Sequence, residues 1–174
     1  FFFLPDGSIQ YAVLSMQYVI FFAYYLFITS SLITIFFIDL KYGIIPDKII
    51  YPSILVSFLY SILYTPYFIQ NNFLSATGSL LFFLLIFLIT RGRGMGFGDV
   101  KLSFLMGLVL GFPAIVIALY SAFLTGALAS IILVVLGKKR IKGGTIPFGP
   151  FLVLGTFIAL FLGNFIQEIA KPFF

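Results

Sequence analysis

The feature that most constrains this chain is its division into long apolar runs separated by short polar gaps. Only 9% of the residues are charged and 62% are hydrophobic, with a mean hydropathy of +1.22. Soluble domains carry about 25% charged residues, so this chain has too few to cover a water-facing surface. Runs of about 20 apolar residues can cross a hydrocarbon core of ~30 Å as helices. The composition therefore predicts an all-α, polytopic integral membrane protein.

Each apolar segment is expected to be helical, because a lipid-exposed backbone must satisfy its own hydrogen bonds. The six predicted segments are Tyr11–Ile38, Ile49–Ile69, Phe73–Thr90, Val100–Gly111, Pro113–Leu136 and Phe151–Ile169. The fourth and fifth come from one stretch, residues 100–136, that is too long for a straight span. Pro113 divides it, because a proline inside a helix removes a backbone hydrogen bond. We therefore expect about six transmembrane helices, with one short or broken pair around Gly111–Pro113.

The basic residues are distributed unevenly between the two sets of loops that six crossings create. One set comprises residues 39–48, 91–99 and 137–148. Nine of the ten basic residues lie in or just beyond it, at Lys41, Lys48, Arg91, Arg93, Lys101, Lys138, Lys139, Arg140 and Lys142. The positive-inside rule places this set in the cytoplasm and both ends of the chain outside. Topology thus accounts for the net charge of +5, and we expect the lipid bilayer, and no nucleic acid, as a partner.

The chain contains no cysteine and no histidine. Disulfides and thiolate metal sites are thereby excluded, and the commonest general base and transition-metal ligand is missing. No metal site is predicted. Acid–base chemistry near neutral pH must then use carboxylates, lysines or tyrosines.

The five acidic residues divide between the two membrane faces. Asp6 and Glu168 fall near the outer face, whereas Asp39, Asp47 and Asp99 fall in cytoplasmic loops or at their membrane edges. Ionisable residues at membrane depth are rare and indicate function by default. Asp39 ends the predicted first helix and Asp99 opens the fourth at the same face, so the two can approach each other in a bundle.

Each of these aspartates also has a purely structural interpretation. Asp47 and Asp99 stand at the start of predicted helices, where aspartate is a favoured N-cap. Asp39 can pair with Lys41 or a neighbouring arginine. Brought together, however, Asp39 and Asp99 would share a proton, because two close carboxyl groups do not both ionise easily. One could then act as a base on water while the other donates to a carbonyl oxygen.

Three motifs in order resemble those of the type IV prepilin peptidases, which are membrane aspartyl proteases of the GxGD class. The motifs are IDLKYGIIPDKIIYP at 38–52, GFGDVKL at 96–102 and TIPFGPFLVLG at 145–155, and the resemblance covers nearly the whole chain. It implies a catalytic dyad of Asp39 and Asp99 at the cytoplasmic membrane face, with Asp47 in a supporting role. It also implies a bacterial cytoplasmic-membrane location and prepilin or pseudopilin substrates, which carry a short basic leader before a long apolar helix.

Further residues of these motifs are interpreted as supporting the site. Glycine loop 94–98 and segment 147–150 are expected to shape the cleft, although PFGP alone is also typical of a turn before a helix. The supporting residues in these segments are Gly96, Gly98, Pro147, Gly149 and Pro150. Lys101 either holds the substrate leader or anchors at lipid headgroups.

Peptide hydrolysis of the kind implied by the resemblance needs no cofactor. Many bacterial members of the family also carry an N-terminal cytoplasmic loop with paired cysteines and methylate the new N-terminus with S-adenosylmethionine. No such loop precedes the first predicted helix, so S-adenosylmethionine is expected only if a methyltransferase part exists outside or alongside these residues. The chain is interpreted as one transmembrane peptidase domain, 1–174, and FFFLPDG as the tail of an earlier helix in a longer parent.

A small proton-coupled transporter or channel subunit is the main alternative, because intramembrane carboxylates and broken helices also serve transport. Against it, the acids cluster at one face, and segments two, three and five have few polar groups for a relay. A non-catalytic scaffold would tolerate Asp39→Asn and Asp99→Asn. Related proteases that cut inside transmembrane helices place a Tyr-Asp pair within a helix, whereas Ile38 precedes Asp39 here.

Overall fold

The described part of the chain consists of helices joined by short turns and linkers in the computed structural model, which describes residues 6–64, 69–92, 95–135 and 147–170. The six α-helices of this part are α1 (Asp6–Tyr42), α2 (Asp47–Tyr64), α3 (Leu74–Thr90), α4 (Phe97–Leu110), α5 (Ala114–Val135) and α6 (Gly149–Ala170). A π-helical turn, Ile69–Phe73, leads into α3. The predicted all-α class is confirmed.

Within the part of the chain that the structure describes, three stretches are long and apolar enough to cross a membrane, namely Ser15–Tyr42, Gln70–Thr90 and Ala114–Ile132. Large apolar side chains remain exposed along these helices, as expected for surfaces that face lipid rather than water. The shorter apolar helix Gly149–Leu162 accompanies them. The molecule is therefore a helical membrane protein.

The helix boundaries fall close to the predicted ones, with one informative difference. The first helix was expected to stop at Ile38 but continues to Tyr42, so Asp39 lies within its last turn. Gly43 ends the helix instead, because it adopts the left-handed conformation (φ 68°) that glycine tolerates and its N–H donates to the Asp39 carbonyl at 2.8 Å. The second segment was expected to end at Ile69, but α2 ends at Tyr64 and Ile69 begins the π-helical turn. Residues 65–68 and the basic loop at 138–142 lie outside the described residues.

The predicted break at Gly111–Pro113 is present between α4 and α5. The π-helical turn before α3 supplies side chains that bind the backbone groups exposed at this break. The N–H of Phe112 donates to Asn71 Oδ1 at 2.7 Å, and Asn72 Nδ2 donates to the Leu108 carbonyl at 2.7 Å. Ser61 Oγ donates to the same carbonyl at 3.3 Å. Side chains thus take over backbone hydrogen bonds that the broken helix cannot make itself.

Helix α4 is the most enclosed element, since α2, α3, α5 and α6 all pack against it. Small residues permit these close crossings. A Cβ on Gly107 of α4 would overlap the backbone of Ala76 on α3, so only glycine fits there. On α2 three serines at four-residue spacing are fully or almost fully buried, at Ser53, Ser57 and Ser61. The second segment therefore holds more polar side chains than the sequence analysis expected.

The helix order brings three chain segments to one end of the bundle. These are the last turn of α1 and the first turns of α4 and α6. Helices α2 and α6 each pack against both α1 and α4. The α4–α5 break lies at the opposite end of α4. Two ends of contrasting chemistry result, which we call the acid end (Asp39, Asp99 and Gly149) and the break end (Asn71, Asn72 and Gly111).

Candidate active site

Asp39 is held almost completely inside the protein, with 4% of its surface exposed. It projects from the last turn of α1 toward the first turn of α6. Its Oδ2 atom is buried and accepts no hydrogen bond of ordinary geometry from any described residue, so pairing with Lys41 through this oxygen is not observed. The backbone N–H of Gly149 points toward this carboxyl group, but it does not make a hydrogen bond of ordinary geometry to Oδ2. An unsatisfied buried carboxyl oxygen is costly and calls for a chemical explanation.

Asp99 is also buried, with 6% of its surface exposed. It was expected to be the N-cap of a helix starting at Val100, but the helix starts at Phe97 and Gly96 occupies the cap position. Asp99 is the third residue of the helix, and its Oδ2 accepts the Gly96 N–H at 3.1 Å. The N-cap prediction was wrong because the carboxylate reaches back to the cap from inside the first turn.

Gly149 lies directly against the carboxyl group of Asp39. A Cβ at this position would overlap Asp39 Oδ2 and lie 3.0 Å from its Cγ, so a side chain cannot be added without displacing the carboxyl. Gly149 is the first residue of α6, and the carbonyl of Phe148 accepts the first two helical N–H groups, from Phe151 and Leu152. The PFGP segment therefore both starts a helix and lines the acid.

Pro150 and Pro147 fit this arrangement in different ways. Pro150 lies in the first turn of α6, where its missing N–H is not needed by the helix. Pro147 precedes the helix and is partly buried. A functional role for either proline stays a prediction. What the structure shows is that both prolines shape the segment that carries Gly149.

The two aspartates are close enough for their charges to act on each other. They come from different helices, and the Ile45 side chain lies between the glycines next to each of them. A Cβ on Gly98, the residue before Asp99, would lie 2.9 Å from Ile45 Cβ, and one on Gly149 would lie 3.4 Å from Ile45 Cδ1. The structure thus brings together the three motifs that are far apart in sequence.

The two glycines of the GFGD motif differ in how tightly they are enclosed. Gly98 has no room for a side chain because Ile45 packs against it. A Cβ on Gly96 would meet Asp99 Oδ2 at 3.6 Å, which is an ordinary contact, and its backbone conformation (φ −77°, ψ 152°) is open to any residue. Steric exclusion therefore requires glycine at 98 and not at 96.

Asp47 and Lys101 form an ion pair beside the acid end. Asp47 begins α2 rather than capping it, and Lys101 lies two residues after Asp99 on α4. The lysine side chain is 16% exposed and the aspartate 59%. The Lys101 ammonium also lies 4.9 Å from the ring centre of Tyr51 and 5.3 Å from that of Phe97. Lys101 thus has partners within the protein, a third role beside the two predicted for it.

The arrangement offers carboxylate chemistry at one end of a membrane-embedded bundle. Among the described residues, no group of three or more His, Cys, Asp or Glu side chains is placed to hold a metal ion. Two buried carboxyl groups that lie near each other, each beside a glycine, can hold and move protons on a water and a carbonyl oxygen. Ile45 is the residue of this site that sequence reasoning missed, although it stands inside the motif IIPD.

Fold and site together define a helical membrane protein with two buried aspartates at one end of its bundle. The chain belongs to the type IV leader peptidase family, whose model matches residues 26–135. The resemblance seen in the three motifs is thereby confirmed.

Three relatives named prepilin leader peptidase/N-methyltransferase illustrate the similarity. The one from Aeromonas salmonicida is 33% identical over 149 residues, which cover 82% of this chain and 50% of the relative. The one from Legionella pneumophila is 33% identical over 138 residues (76% and 47%). The one from Bacillus subtilis is 32% identical over 138 residues (78% and 54%). The chain thus spans about half the length of the curated relatives it matches. No solved structure gives a significant match.

Proposed function

We propose that this chain is an aspartic endopeptidase of the bacterial cytoplasmic membrane that removes the basic leader from type IV prepilins and pseudopilins. Asp39 and Asp99 are the catalytic pair, and they act at the cytoplasmic face. The observation that carries the proposal is the buried Oδ2 of Asp39, which no described residue satisfies and which lies against Gly149, with Asp99 near enough for the two carboxyl groups to interact electrostatically. Burying a carboxyl group without a partner destabilises the folded protein, so a role in stability does not explain why an aspartate is at this position.

The mechanism uses one proton shared between the two carboxyl groups. The ionised carboxylate takes a proton from a water molecule as the water oxygen attacks the carbonyl carbon of the scissile bond. The protonated carboxyl donates its proton to the carbonyl oxygen, which gives a neutral tetrahedral intermediate. When the C–N bond breaks, the proton held by the first carboxyl passes to the leaving amine, and the second carboxylate takes a proton from a hydroxyl of the intermediate as its C=O bond re-forms. Both products are then complete and the pair holds one proton again.

The position of the pair suits a substrate whose helix lies in the bilayer. The relatives' names identify prepilins as what those proteins process. A prepilin helix in the membrane would present its scissile bond at the interface, level with the first turn of α4. Since this chain spans about half of those relatives, the proposal covers peptide hydrolysis and not methyl transfer.

The test is cleavage of a purified prepilin-like substrate by the chain in liposomes, without S-adenosylmethionine. Asp39→Asn and Asp99→Asn should each lower kcat by about a thousandfold or more, because asparagine keeps the size but holds no transferable proton. Asp47→Asn is the matched control, since this acid lies beside the pair but is 59% exposed. It should slow cleavage by less than about tenfold.

Other outcomes would redirect the assignment. Full activity in Asp39→Asn with none in Asp47→Asn would remove Asp39 from the pair while keeping a peptidase. A folded wild-type chain that cuts nothing, but conducts protons unless Asp39 is changed to Asn, would favour the transporter alternative instead.

A further inference from the structure

We propose that Ile45 is the positioning residue that sets the spacing between the two catalytic carboxyl groups. This inference rests on the proposed peptidase function and goes beyond it, since it assigns a role to an apolar side chain between the aspartates. Ile45 belongs to the linker between α1 and α2, residues 43–46, and is partly buried against the core.

The contacts of Ile45 reach both halves of the site. Toward α4, its Cβ lies 2.9 Å, and its Cγ1 and Cδ1 each 3.3 Å, from where a Cβ on Gly98 would be. Toward α6, its Cδ1 lies 3.4 Å from the corresponding position on Gly149. Gly98 directly precedes Asp99, and Gly149 directly touches Asp39. One side chain therefore packs between the start of α4, which carries Asp99, and the start of α6, which touches Asp39.

The backbone on both sides of Ile45 is fixed. On the N-terminal side, Gly43 turns the chain and its N–H donates to the Asp39 carbonyl at 2.8 Å. On the C-terminal side, the carbonyl of Pro46 accepts the N–H groups of Ile49 and Ile50 at 3.0 and 3.1 Å, which starts α2. A side chain clamped in this way can act as a rigid spacer.

The charged pair adds a second constraint on the same linker. Asp47, two residues after Ile45, binds Lys101, two residues after Asp99. Two contacts thus hold this part of the chain against the start of α4. Ile45 packs against Gly98, and Asp47 forms an ion pair with Lys101. We infer that the wedge formed by Ile45 holds the Asp99 turn in one fixed position relative to Asp39.

Removing the wedge should misplace the carboxyl groups without unfolding the bundle. A displacement of about 1 Å in a catalytic group can cost roughly a hundredfold in rate. Ile45→Ala should therefore lower kcat by at least about tenfold while KM stays within about threefold, because the lost interaction acts on the transition state. Ile45→Val keeps the branched Cβ that meets Gly98 but loses the Cδ1 that meets Gly149, so its kcat should fall between those of Ile45→Ala and wild type.

Ile49→Ala is the matched control. Ile49 lies four residues further on and is also partly buried against the core, but it supplies none of the atoms nearest to an added Cβ on Gly98 or Gly149. It should lower the melting temperature about as much as Ile45→Ala while its kcat stays within about threefold of wild type. Equal losses of kcat in the two alanine variants would overturn the proposal, as would full activity in Ile45→Ala.

A second measurement tests the wedge without any catalysis. The chain contains no cysteine, so a variant with Asp39→Cys and Asp99→Cys can be cross-linked by a short bifunctional thiol reagent. Adding Ile45→Ala should lower the cross-linking rate by at least about fivefold, because fewer molecules hold the reactive geometry. Adding Ile49→Ala should not change it.

The two measurements separate failure of the inference from failure of the proposed function. If the chain cleaves no substrate but Ile45→Ala still slows cross-linking, the spacer stands and the peptidase assignment falls. If cross-linking is the same with and without Ile45, the spacer is refuted whatever the activity.

Discussion

The two ends of α4 solve the same problem, a helix terminus buried in a membrane protein, in opposite ways. At the break end the Leu108 carbonyl receives hydrogen bonds from Asn72 and Ser61, and the N–H of Phe112 is bound by Asn71. At the acid end the first turn is occupied by a buried carboxyl group, and a second carboxyl faces it with an oxygen that no described residue satisfies.

The comparison teaches how to tell a structural polar group from a chemical one. Asn72 Oδ1 also lacks a partner, but the amide of Asn72 already completes a backbone bond, which is sufficient reason for it to be there. Asp39 makes no such bond through Oδ2. A neutral amide oxygen is also much cheaper to bury than an ionisable carboxyl. Substitutions at the break end should therefore change stability, and substitutions at the acid end should change activity.

The largest contrast is expected between two glycines of α6. Gly149→Ala places a Cβ on the carboxyl of Asp39 and should lower kcat by about a hundredfold or more. Gly155→Ala places a Cβ on the Ala118 carbonyl of α5 and should destabilise the protein by about 1–3 kcal/mol, as overpacking does. Cleavage rate per folded molecule and thermal unfolding, measured on the same samples, distinguish the two.

A third glycine provides the control for this pair. Gly78 on α3 has no atom within 4 Å of an added Cβ, so Gly78→Ala should leave kcat unchanged and stabilise the helix by no more than about 1 kcal/mol. Gly149→Ala with normal kcat would show that the carboxyl of Asp39 is free to move and that its position is not what the chemistry needs.

An intermediate effect is expected at the break end, on stability alone. Asn72→Leu removes the amide that serves the Leu108 carbonyl and should lower the free energy of unfolding by about 1 kcal/mol, the usual net worth of such a bond. Denaturation in detergent measures the loss. The kcat of the folded variant should equal that of wild type, and a tenfold fall would mean that the two ends are not independent.

The smallest effect is expected for the ion pair that borders the acid end. Because Asp47 is 59% exposed, solvent screens the pair and its worth to stability should stay below about 1 kcal/mol. Lys101→Met should lower kcat by less than about tenfold. A double-mutant cycle with Asp47→Asn in low and high salt measures the coupling, and additive effects would show that the pair does not tie α2 to α4.

Hydropathy alone predicted most of the fold, because helix formation in lipid depends on apolar length and little else. The break between α4 and α5 followed from Pro113, and the meeting of three motifs followed from their resemblance to a family. Local pattern could not predict that Asp99 reaches back to Gly96, since Gly96 and Phe97 start the helix earlier than hydropathy suggests. It also could not reveal Ile45, whose role depends on contacts with Gly98 and Gly149 that only helix packing creates.

The central claim is that Asp39 and Asp99 face each other across the acid end, and cross-linking tests it without a substrate. The variant with Asp39→Cys and Asp99→Cys should react with a short bifunctional thiol reagent in membranes. A matched variant with Asp39→Cys and Phe112→Cys places the second thiol beyond the other end of α4, about 20 Å away along the helix at 1.5 Å per residue. It should not cross-link. Equal reaction of the two pairs, or reaction of the second alone, would contradict the account.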